Sequence, residues 1–360
     1  MITLPIFILI LSILIIVHEF GHFIVARKLG VRVEKFSLGF GPQIFKKKKK
    51  DTEYSLALIP LGGFVKLAGD NMEEFKGEPD EYFSKPPGKR FWIIFAGAFL
   101  NYILGFLFFW FIFFSGYPTL TTKVGGLIDG FGAKEAGLKA GDKILSIDGQ
   151  DVVYWEDLQS IVYSKKAADK VHLEVLRDNK EFTVAVSIKE KEFEDQLGEK
   201  HNIGLLGITP FDELVKVRHG FFKSFTLGAV KTKDLTILTY QGLFRMLTGK
   251  LSIRESVTGP LGIFFITSKA ASMGIIALLH LMAVLNISLA VFNLLPLPIL
   301  DGGHILFLGL EKIRGKTLGL KAEKVITQIG LSLIITLVLF VTYNDIVRLF
   351  GDKIQKIFVK

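Results

Sequence analysis

The 360-residue chain contains no cysteine, and this absence excludes several kinds of functional site. Without cysteine there is no disulfide scaffold, no thiol nucleophile and no cysteine-ligated zinc or iron–sulfur site. Any metal ion must therefore be bound by His, Asp or Glu side chains. The spacing of these residues along the chain decides whether such a site exists.

Apolar residues occur in long runs. They make up 50% of the chain, and the mean hydropathy of +0.43 is high for a soluble domain. Four runs are each close to the roughly 20 helical residues that cross a hydrocarbon core of about 30 Å. They exclude a purely soluble enzyme, a disordered chain and a collagen-like fibre. We predict a polytopic α-helical membrane protein with four transmembrane helices, at residues 2–25, 91–114, 275–296 and 326–343.

The distribution of Lys and Arg predicts the orientation of these helices. The loops at 27–90 and 311–324 are rich in both residues, whereas no charge precedes the first run. We therefore expect both loops in the cytoplasm and both termini outside, with the long segment 116–274 extracytoplasmic. The first run lacks the charged start and small-residue cleavage site of a signal peptide.

The net charge of +9 follows from the same distribution. The chain carries no nucleic-acid-binding motif, so we expect no nucleic-acid partner. For the run Lys46–Lys50, a solvated loop is the simpler interpretation, and contact with anionic lipid headgroups is the alternative.

The extracytoplasmic segment begins with a small α/β module. Strand-like runs at 143–147, 171–176 and 181–188 alternate with turn signals, and a helical stretch covers 155–164. The sequence from Ala136 to Gly149 resembles the central signature of a PDZ domain. Such a domain binds an extended peptide at a sheet edge, and a rigid spacer that excludes bulky substrates is an equally good interpretation.

Two further regions are harder to assign. Residues 211–256 mix apolar and basic residues, which favours one or two amphipathic helices on the outer membrane surface, with a broken fifth span as the alternative. Two glycine-containing stretches, 37–42 and 58–65, could be β-like segments that enter a protein-lined membrane cavity, or an ordinary surface loop. The predicted domains are helices 1–2 with a reentrant loop (1–116), the PDZ-like domain (120–190), the surface helices (203–258) and helices 3–4 (259–360).

The first apolar run contains an H-E-x-x-H motif formed by His18, Glu19 and His22. Residues four apart share one face of a helix, so both histidines can direct a ring nitrogen at one ion. Glu19 follows the first histidine and is placed to act on water as a base. Each ionisable residue at the centre of a membrane helix costs about 2.5–3.5 kcal/mol, so three of them require a reason. Two structural histidines with a charged helix cap would not explain the full spacing.

A catalytic zinc site needs a third protein ligand and keeps one position open. The candidate is Asp301, which lies beside two glycines after prolines that break the third apolar run. His304 is a competing ligand, although a supporting or loop role fits it better. Asn293 is placed to donate hydrogen bonds to a substrate backbone or to an oxyanion, and an interhelical hydrogen bond is its alternative role.

Together these motifs resemble the site-2 protease family, and most closely its bacterial subtype that carries PDZ domains and regulates the envelope-stress sigma-factor pathway. The resemblance implies an intramembrane metalloendopeptidase with Zn²⁺ bound by His18, His22 and Asp301. It also implies that Glu19 is the catalytic base. From its placement, we expect Asn293 to be the second catalytic residue.

The same resemblance implies how the substrate is bound. Family members cleave single-span transmembrane proteins, often anti-sigma factors that a site-1-type protease has already trimmed, in the bacterial inner membrane. Membrane-reentrant segments are thought to hold the unwound substrate as a strand, and the residues that match them here are Gly39, Phe40, Gly41, Gly62 and Gly63. This chain has one PDZ-like module where well-studied enterobacterial relatives have two.

Two other classes of function stay open at this stage. One is a non-catalytic membrane adaptor that captures peptides with its PDZ-like module, although such a protein has no need of Glu19. The other is a metal-ion transporter, but the inverted repeat found in many transporters is not visible in the sequence.

Overall fold

The computed structural model describes residues 3–167, 169–195, 197–316 and 319–358. The chain forms two compact units. Unit 1 comprises Met1–Ile112, Ser224–Met246 and Ser252–Lys360, and unit 2 comprises Phe113–Lys223 and Leu247–Leu251. In chain order the elements are α1 (Thr3–Lys28), β1 (Val33–Lys49), β2 (Thr52–Leu67), α2 (Pro87–Ser115), β3 (Tyr117–Leu120), β4 (Val124–Leu127), α3 (Gly132–Glu135), β5 (Lys143–Ile147), β6 (Gln150–Asp151), α4 (Trp155–Tyr163), β7 (Lys170–Arg177), β8 (Lys180–Ser187), β9 (Lys189–Glu194), β10 (Lys200–Leu205), β11 (Ile208–Pro210), β12 (Leu214–Val217), α5 (Phe221–Leu247), α6 (Ile253–Ser256), α7 (Pro260–Met273), α8 (Ile275–Asn293), α9 (Asp301–Arg314) and α10 (Leu320–Phe358).

Four of the described helices are long and apolar enough to cross a membrane. They are α1, α2, α8 and the part of α10 from Lys324 to Phe350. Each contains most of one predicted apolar run. The prediction of four membrane helices is therefore confirmed by helix length and composition. Helices α1, α2 and α10 continue into flanking polar residues, because helical hydrogen bonding does not require an apolar side chain.

Strands β1 and β2 of unit 1 form one irregular antiparallel hairpin. They cover both glycine-containing stretches, which are therefore strand segments within a long hairpin and not an ordinary surface loop. Their entry into a membrane cavity stays a prediction. Residues Lys35–Leu38 of β1 pair with two parts of β2, with Glu53–Leu56 and also with Gly63–Lys66. The segment Gly63–Lys66 pairs only with Lys35–Leu38 among the described strands, so it lies at an edge of the sheet.

Helix α5 is a single 27-residue helix that packs lengthwise against α2. The ring centroids of Phe225 and Phe106 are 5.1 Å apart, and Thr236 Oγ1 lies 3.1 Å from the Tyr102 hydroxyl. As the chain proceeds along α5, its contacts move back along α2, so the two helices are antiparallel. The position of α5 on the outer membrane surface stays a prediction.

Helix α7 was not predicted from the sequence. Its 14 residues are apolar but too few to cross a bilayer. It packs against α1, where the Phe264 and Phe7 rings are 5.6 Å apart. Its N-terminus is bound by Asp345 of α10, whose carboxylate accepts hydrogen bonds from the backbone N–H groups of Gly259 (3.2 Å) and Gly262 (2.8 Å). This buried aspartate satisfies donors that a helix start leaves free.

Unit 2 is an α/β module built on a four-stranded sheet in the order β6-β5-β7-β8. The predicted strands and the predicted helix correspond to β5, β7, β8 and α4 and are confirmed. Strands from later in the chain complete the module, because β11 pairs with β4 and β12 pairs with β3. The core is a cluster of fully buried aliphatic side chains that includes Val124, Ile144, Val171, Leu173, Val175 and Leu206.

The PDZ-like signature of unit 2 has a clear structural reason around Asp142. Its carboxylate is 1% exposed and accepts hydrogen bonds from the Lys139 backbone N–H (2.7 Å) and from Arg177 Nε and Nη2 (2.6 and 2.7 Å). Arg177 Nη2 also donates to the Gly137 carbonyl at 2.9 Å. The signature therefore encodes a buried aspartate that ties the loop after α3 to strand β7.

Candidate metal centre

The two histidines of the first apolar run lie on one face of α1, as their spacing predicts. His18 Nε2 and His22 Nε2 are 3.2 Å apart, and the two rings are nearly perpendicular. Both side chains are largely buried, with 13% and 15% of their surface exposed. Helix α1 therefore presents two imidazole nitrogens to one point.

Asp301 reaches the same point from the other end of the chain. Helix α8 ends at Asn293, before the prolines, and Asp301 is the first residue of the next helix, α9. Its Oδ2 lies 3.4 Å from His18 Nε2, and its Oδ1 lies 3.7 Å from His22 Nε2. A Cβ at Gly303 would lie 2.7 Å from Pro298 Cα, so only glycine allows the chain to turn back this tightly.

Helix α2 supplies two features that the sequence did not predict. The Ile93 carbonyl lies 2.9 Å from His22 Nδ1. A carbonyl can only accept, so Nδ1 carries the proton and Nε2 is left with its lone pair, as a metal ligand requires. A Cβ at Gly97 would lie 2.5 Å from His22 Cε1 and 2.8 Å from His18 Cε1, so this glycine makes room for both rings. In the sequence, the three small residues Ala96-Gly97-Ala98 within an aromatic-rich run were the signal that could have indicated this close approach to α2.

These three side chains fit a zinc ion. Ligand atoms bound at 2.0–2.2 Å in a tetrahedron lie about 3.4 Å apart. The two histidine Nε2 atoms are 3.2 Å apart, His18 Nε2 is 3.4 Å from Asp301 Oδ2, and His22 Nε2 is 3.7 Å from the other carboxylate oxygen, Oδ1. One ligand atom from each of the three residues lies within 4.8 Å of the other two. Asp301 Oδ2 is buried and has no hydrogen-bond partner among the described residues. A buried acceptor without a partner is costly unless a cation or a donor binds it. His304 is exposed and is not a member of this group of three.

The other two predicted catalytic residues border the same centre. The Glu19 side chain lies beside Gly63 and Val65, at the edge of the β1–β2 sheet. Asn293 Nδ2 lies 3.4 Å from His18 Nδ1 and 3.5 Å from His18 Nε2, so the last residue of α8 packs against the ring of a candidate ligand. Both residues are therefore within the site in this structure.

The predicted substrate-binding glycines divide into two groups. Gly63 is near the centre, because a Cβ there would lie 3.6 Å from Glu19 Cγ. Gly39 and Gly41 lie in the irregular middle of β1, with φ of +86° and +89°, on either side of Phe40. Phe40 is 49% exposed, pairs with Ile59 and stacks on Phe64 at 6.4 Å. A Cβ at Gly62 would collide with the Phe40 ring.

The fold and the site define a class of protein. Four helices able to cross a membrane, with two histidines, an aspartate and a glutamate converging beside one of them, are the features of a membrane metallopeptidase. Residues 6–337 match the model of peptidase family M50. The chain belongs to this family, and the resemblance to site-2 proteases is confirmed.

Relatives in several bacteria agree with this assignment over nearly the whole chain. A predicted zinc metalloprotease of Campylobacter jejuni is 33% identical over 348 residues, covering 96% of this chain and 93% of that protein. The regulator of sigma-W protease RasP of Bacillus subtilis is 30% identical over 428 aligned positions, covering 97% of this chain and 99% of that protein. The zinc metalloprotease RasP of Oceanobacillus iheyensis is 29% identical, covering 97% and 100%.

Proposed function

We propose that this protein is a zinc-dependent intramembrane endopeptidase that cleaves a transmembrane helix of a membrane-anchored regulator. One observation carries the proposal. Three ligand atoms lie within 4.8 Å of one another, from His18 and His22 of α1 and from Asp301 at the start of α9. Helix α1 is able to cross a membrane and also carries Glu19. A structural metal site has no need of that glutamate.

The chemistry divides between the metal ion and the protein. When bound by His18, His22 and Asp301, Zn²⁺ supplies Lewis acidity that makes hydroxide available near neutral pH. Glu19 accepts the proton from water at a carboxylate oxygen and later donates it to the leaving amine of the cleaved peptide. Asn293 Nδ2 donates a hydrogen bond to the carbonyl oxygen of the scissile peptide as that oxygen gains negative charge.

The edge segment Gly63–Lys66 is the proposed platform for the substrate. Carbonyl groups in a helix are hydrogen-bonded and shielded, so a transmembrane substrate must unwind before it is cut. A strand added to a free sheet edge would replace the lost backbone hydrogen bonds. The contacts of Glu19 with Gly63 and Val65 support this location, because they bring the edge next to the catalytic base.

The orientation and the partner follow from the same proposal. Both termini and unit 2, acting as a PDZ-like domain, lie outside the cytoplasm, and the metal centre lies near the cytoplasmic face of the bacterial inner membrane. The name of the Bacillus subtilis relative, a regulator of sigma-W protease, supports an anti-sigma factor as the class of substrate. An upstream protease that trims the substrate would act first.

Substitution of the base tests the function directly. Purified Glu19→Gln protein should bind one zinc ion per chain and fail to cleave a reporter transmembrane helix in detergent, because it keeps the ligands and loses the proton acceptor. The matched control is Glu73→Gln, which changes an exposed carboxylate in the loop before α2 and should cleave normally. Full activity of Glu19→Gln would contradict the proposal, as would cleavage that a zinc chelator does not inhibit.

A further inference from the structure

The lysine turn between β1 and β2 returns to the C-terminal end of α1. Thr52 Oγ1 donates a 2.8 Å hydrogen bond to the carbonyl of Val33, which follows α1 by only a few residues. Lys50 and Thr52 also line a cavity of about 240 Å³ together with Arg27 and Arg32. We use the term basic rim for Arg27, Lys28 and Lys46–Lys50.

The rest of the hairpin extends from the rim toward the metal centre. Leu38 pairs with Gly63, and Gly63 lies beside Glu19. Glu19 is nine residues before the end of α1, about 14 Å along the helix axis. The five residue steps from Val33 to Leu38 cover about 17 Å as a strand. The two lengths agree, so the strands run roughly along α1 from the level of the lysine turn to the level of Gly63 and Glu19. The hairpin continues beyond that level to Phe40 and Ile59.

Large apolar side chains are exposed on the hairpin at the level of Gly63 and beyond it, on the side away from the lysine turn. Their exposed fractions range from 41% to 64%. Large apolar patches of this kind mark contact with another protein or with lipid, and α1 beside them is long and apolar enough to span a bilayer. These side chains are Phe40, Ile44, Phe45, Leu56, Leu58 and Ile59.

Most of the positive charge of the rim is not neutralised within the protein. Lys46 pairs with Glu53 at 2.8 Å, and Arg32 beside the rim pairs with Glu78. Lys47–Lys50 make no ion pair with any carboxylate in the described part of the chain. Four unpaired, exposed cations next to an apolar band match the boundary between lipid headgroups and acyl chains, where long basic side chains extend toward the polar layer.

We propose that the basic rim is a binding surface for the headgroups of anionic phospholipids. The proposal deepens the proposed function, on which its membrane orientation rests. The rim is the turn end of the hairpin. The edge segment runs from Lys66, which shares its partner Lys35 with Glu53 near the turn, to Gly63 next to Glu19. Headgroup binding therefore holds that segment at the level of the metal centre, and the charge of the inner leaflet becomes a determinant of how the substrate platform is positioned.

The absence of cysteine allows a direct test on the full-length protein. Gln43→Cys, three residues before the lysines, gives a unique thiol for a fluorophore. The protein also carries Glu19→Gln and is reconstituted in vesicles of brominated phosphatidylglycerol mixed with phosphatidylcholine, or of the reverse pair. Preferential quenching by brominated phosphatidylglycerol is expected, and it should weaken at high salt because ions screen the attraction.

Charge variants of the turn provide the decisive comparison. Lys48→Gln should lower the preference for phosphatidylglycerol about fivefold, and combined Lys47→Gln, Lys48→Gln and Lys49→Gln should abolish it. The corresponding triple Arg variant should keep the preference. Removing three exposed lysines from unit 2 should leave the preference unchanged, with the control substitutions Lys166→Gln, Lys170→Gln and Lys180→Gln.

Three results would overturn the proposal. They are equal quenching by the two lipids with the native turn, a preference that survives the triple Gln variant, and displacement of the lipid by inorganic phosphate at matched ionic strength. The last result would assign the cavity to a free anion. Because the lipid measurement uses catalytically inert protein, its failure leaves the cleavage test untouched. Conversely, cleavage by Glu19→Gln would reject the function without affecting the lipid result.

Discussion

Asp142 of unit 2 and Asp301 of unit 1 are both largely buried carboxylates, but their surroundings differ. Asp142 accepts hydrogen bonds from the Lys139 backbone and from two nitrogens of Arg177. Asp301 faces two histidine nitrogens, and its Oδ2 has no hydrogen-bond partner in the described part of the protein. The Asp142 carboxylate therefore receives its hydrogen bonds from the protein itself. Asp301 Oδ2 lacks a donor or cation, and a bound metal ion would supply one.

The difference separates a structural role from a functional one. A buried carboxylate that is fully hydrogen-bonded to a cation contributes to folding, and its loss destabilises the domain. An unsatisfied carboxylate destabilises the free protein, and a bound cation offsets this cost through its binding free energy. The comparison predicts that the two aspartates respond in opposite ways to the same substitution.

Asp301→Asn should have the largest effect of these substitutions. It should reduce metal binding and cleavage without destabilising the fold. Zinc content should fall from one ion per chain to none, and cleavage should fall on the order of 10³-fold or more, because metal ligands act as a unit. Stability in the presence of a chelator should stay the same or rise, since an unsatisfied charge is removed. Metal analysis, a cleavage assay and chemical unfolding measure the three quantities.

His304→Asn is the control for this substitution, because it removes a neighbouring histidine that lies outside the group of three. It should keep both zinc and activity. If Asp301→Asn retained stoichiometric zinc while His304→Asn lost it, His304 would be the third ligand.

Asp142→Asn should give the opposite pattern, with a loss of stability and no loss of metal. The substitution weakens the hydrogen bonds that the buried carboxylate accepts from Arg177 and from the Lys139 backbone, and should therefore destabilise unit 2. Hydrogen exchange of the core amides of β7 measures this loss in the full-length protein. Zinc content should remain at one ion per chain. A drop in zinc content without faster exchange would contradict the separation of the two roles.

The pH dependence provides a second check on Asp142. Burial acts to raise the pKa of this carboxyl, but the hydrogen bonds from Arg177 and the Lys139 backbone outweigh it and hold the pKa below its usual value. Its stabilising contribution is therefore complete above about pH 4, where the unfolded carboxyl is ionised, and is lost as the pH falls through the lower folded pKa. Urea unfolding should show that the stability gap between the native protein and Asp142→Asn narrows below about pH 4.

Gly97→Ala should have the smallest effect of these substitutions. It tests whether Gly97 makes room for the rings of the two histidine ligands. The added methyl group would press on the rings of His18 and His22, so zinc should bind about 10- to 100-fold more weakly, as for other changes to groups that orient metal ligands. Competition with a chelator measures this change. Gly309→Ala on α9 is the matched control, because its Cβ would meet no described atom within 4 Å. Equal affinities in the two variants would contradict a role for Gly97.

Sequence patterns predicted those elements whose signals are local. The strand at Lys143–Ile147 and the end of α8 before the prolines follow from adjacent residues, through alternation of side chains and the loss of a helical hydrogen bond. Helix α7 was not predicted, because an apolar segment of 14 residues lacks the length that identifies a span.

Two determinants of this protein came from the sequence alone. The absence of cysteine restricted any metal site to His, Asp and Glu, and a spacing of four residues put His18 and His22 on one face of a helix, because helical periodicity is a local property. Only the tertiary structure decided which distant groups join them. The approach of Asp301, the space at Gly97 and the Ile93 carbonyl depend on how α1, α2 and α9 pack, and packing between distant segments is not written in the spacing of neighbouring residues.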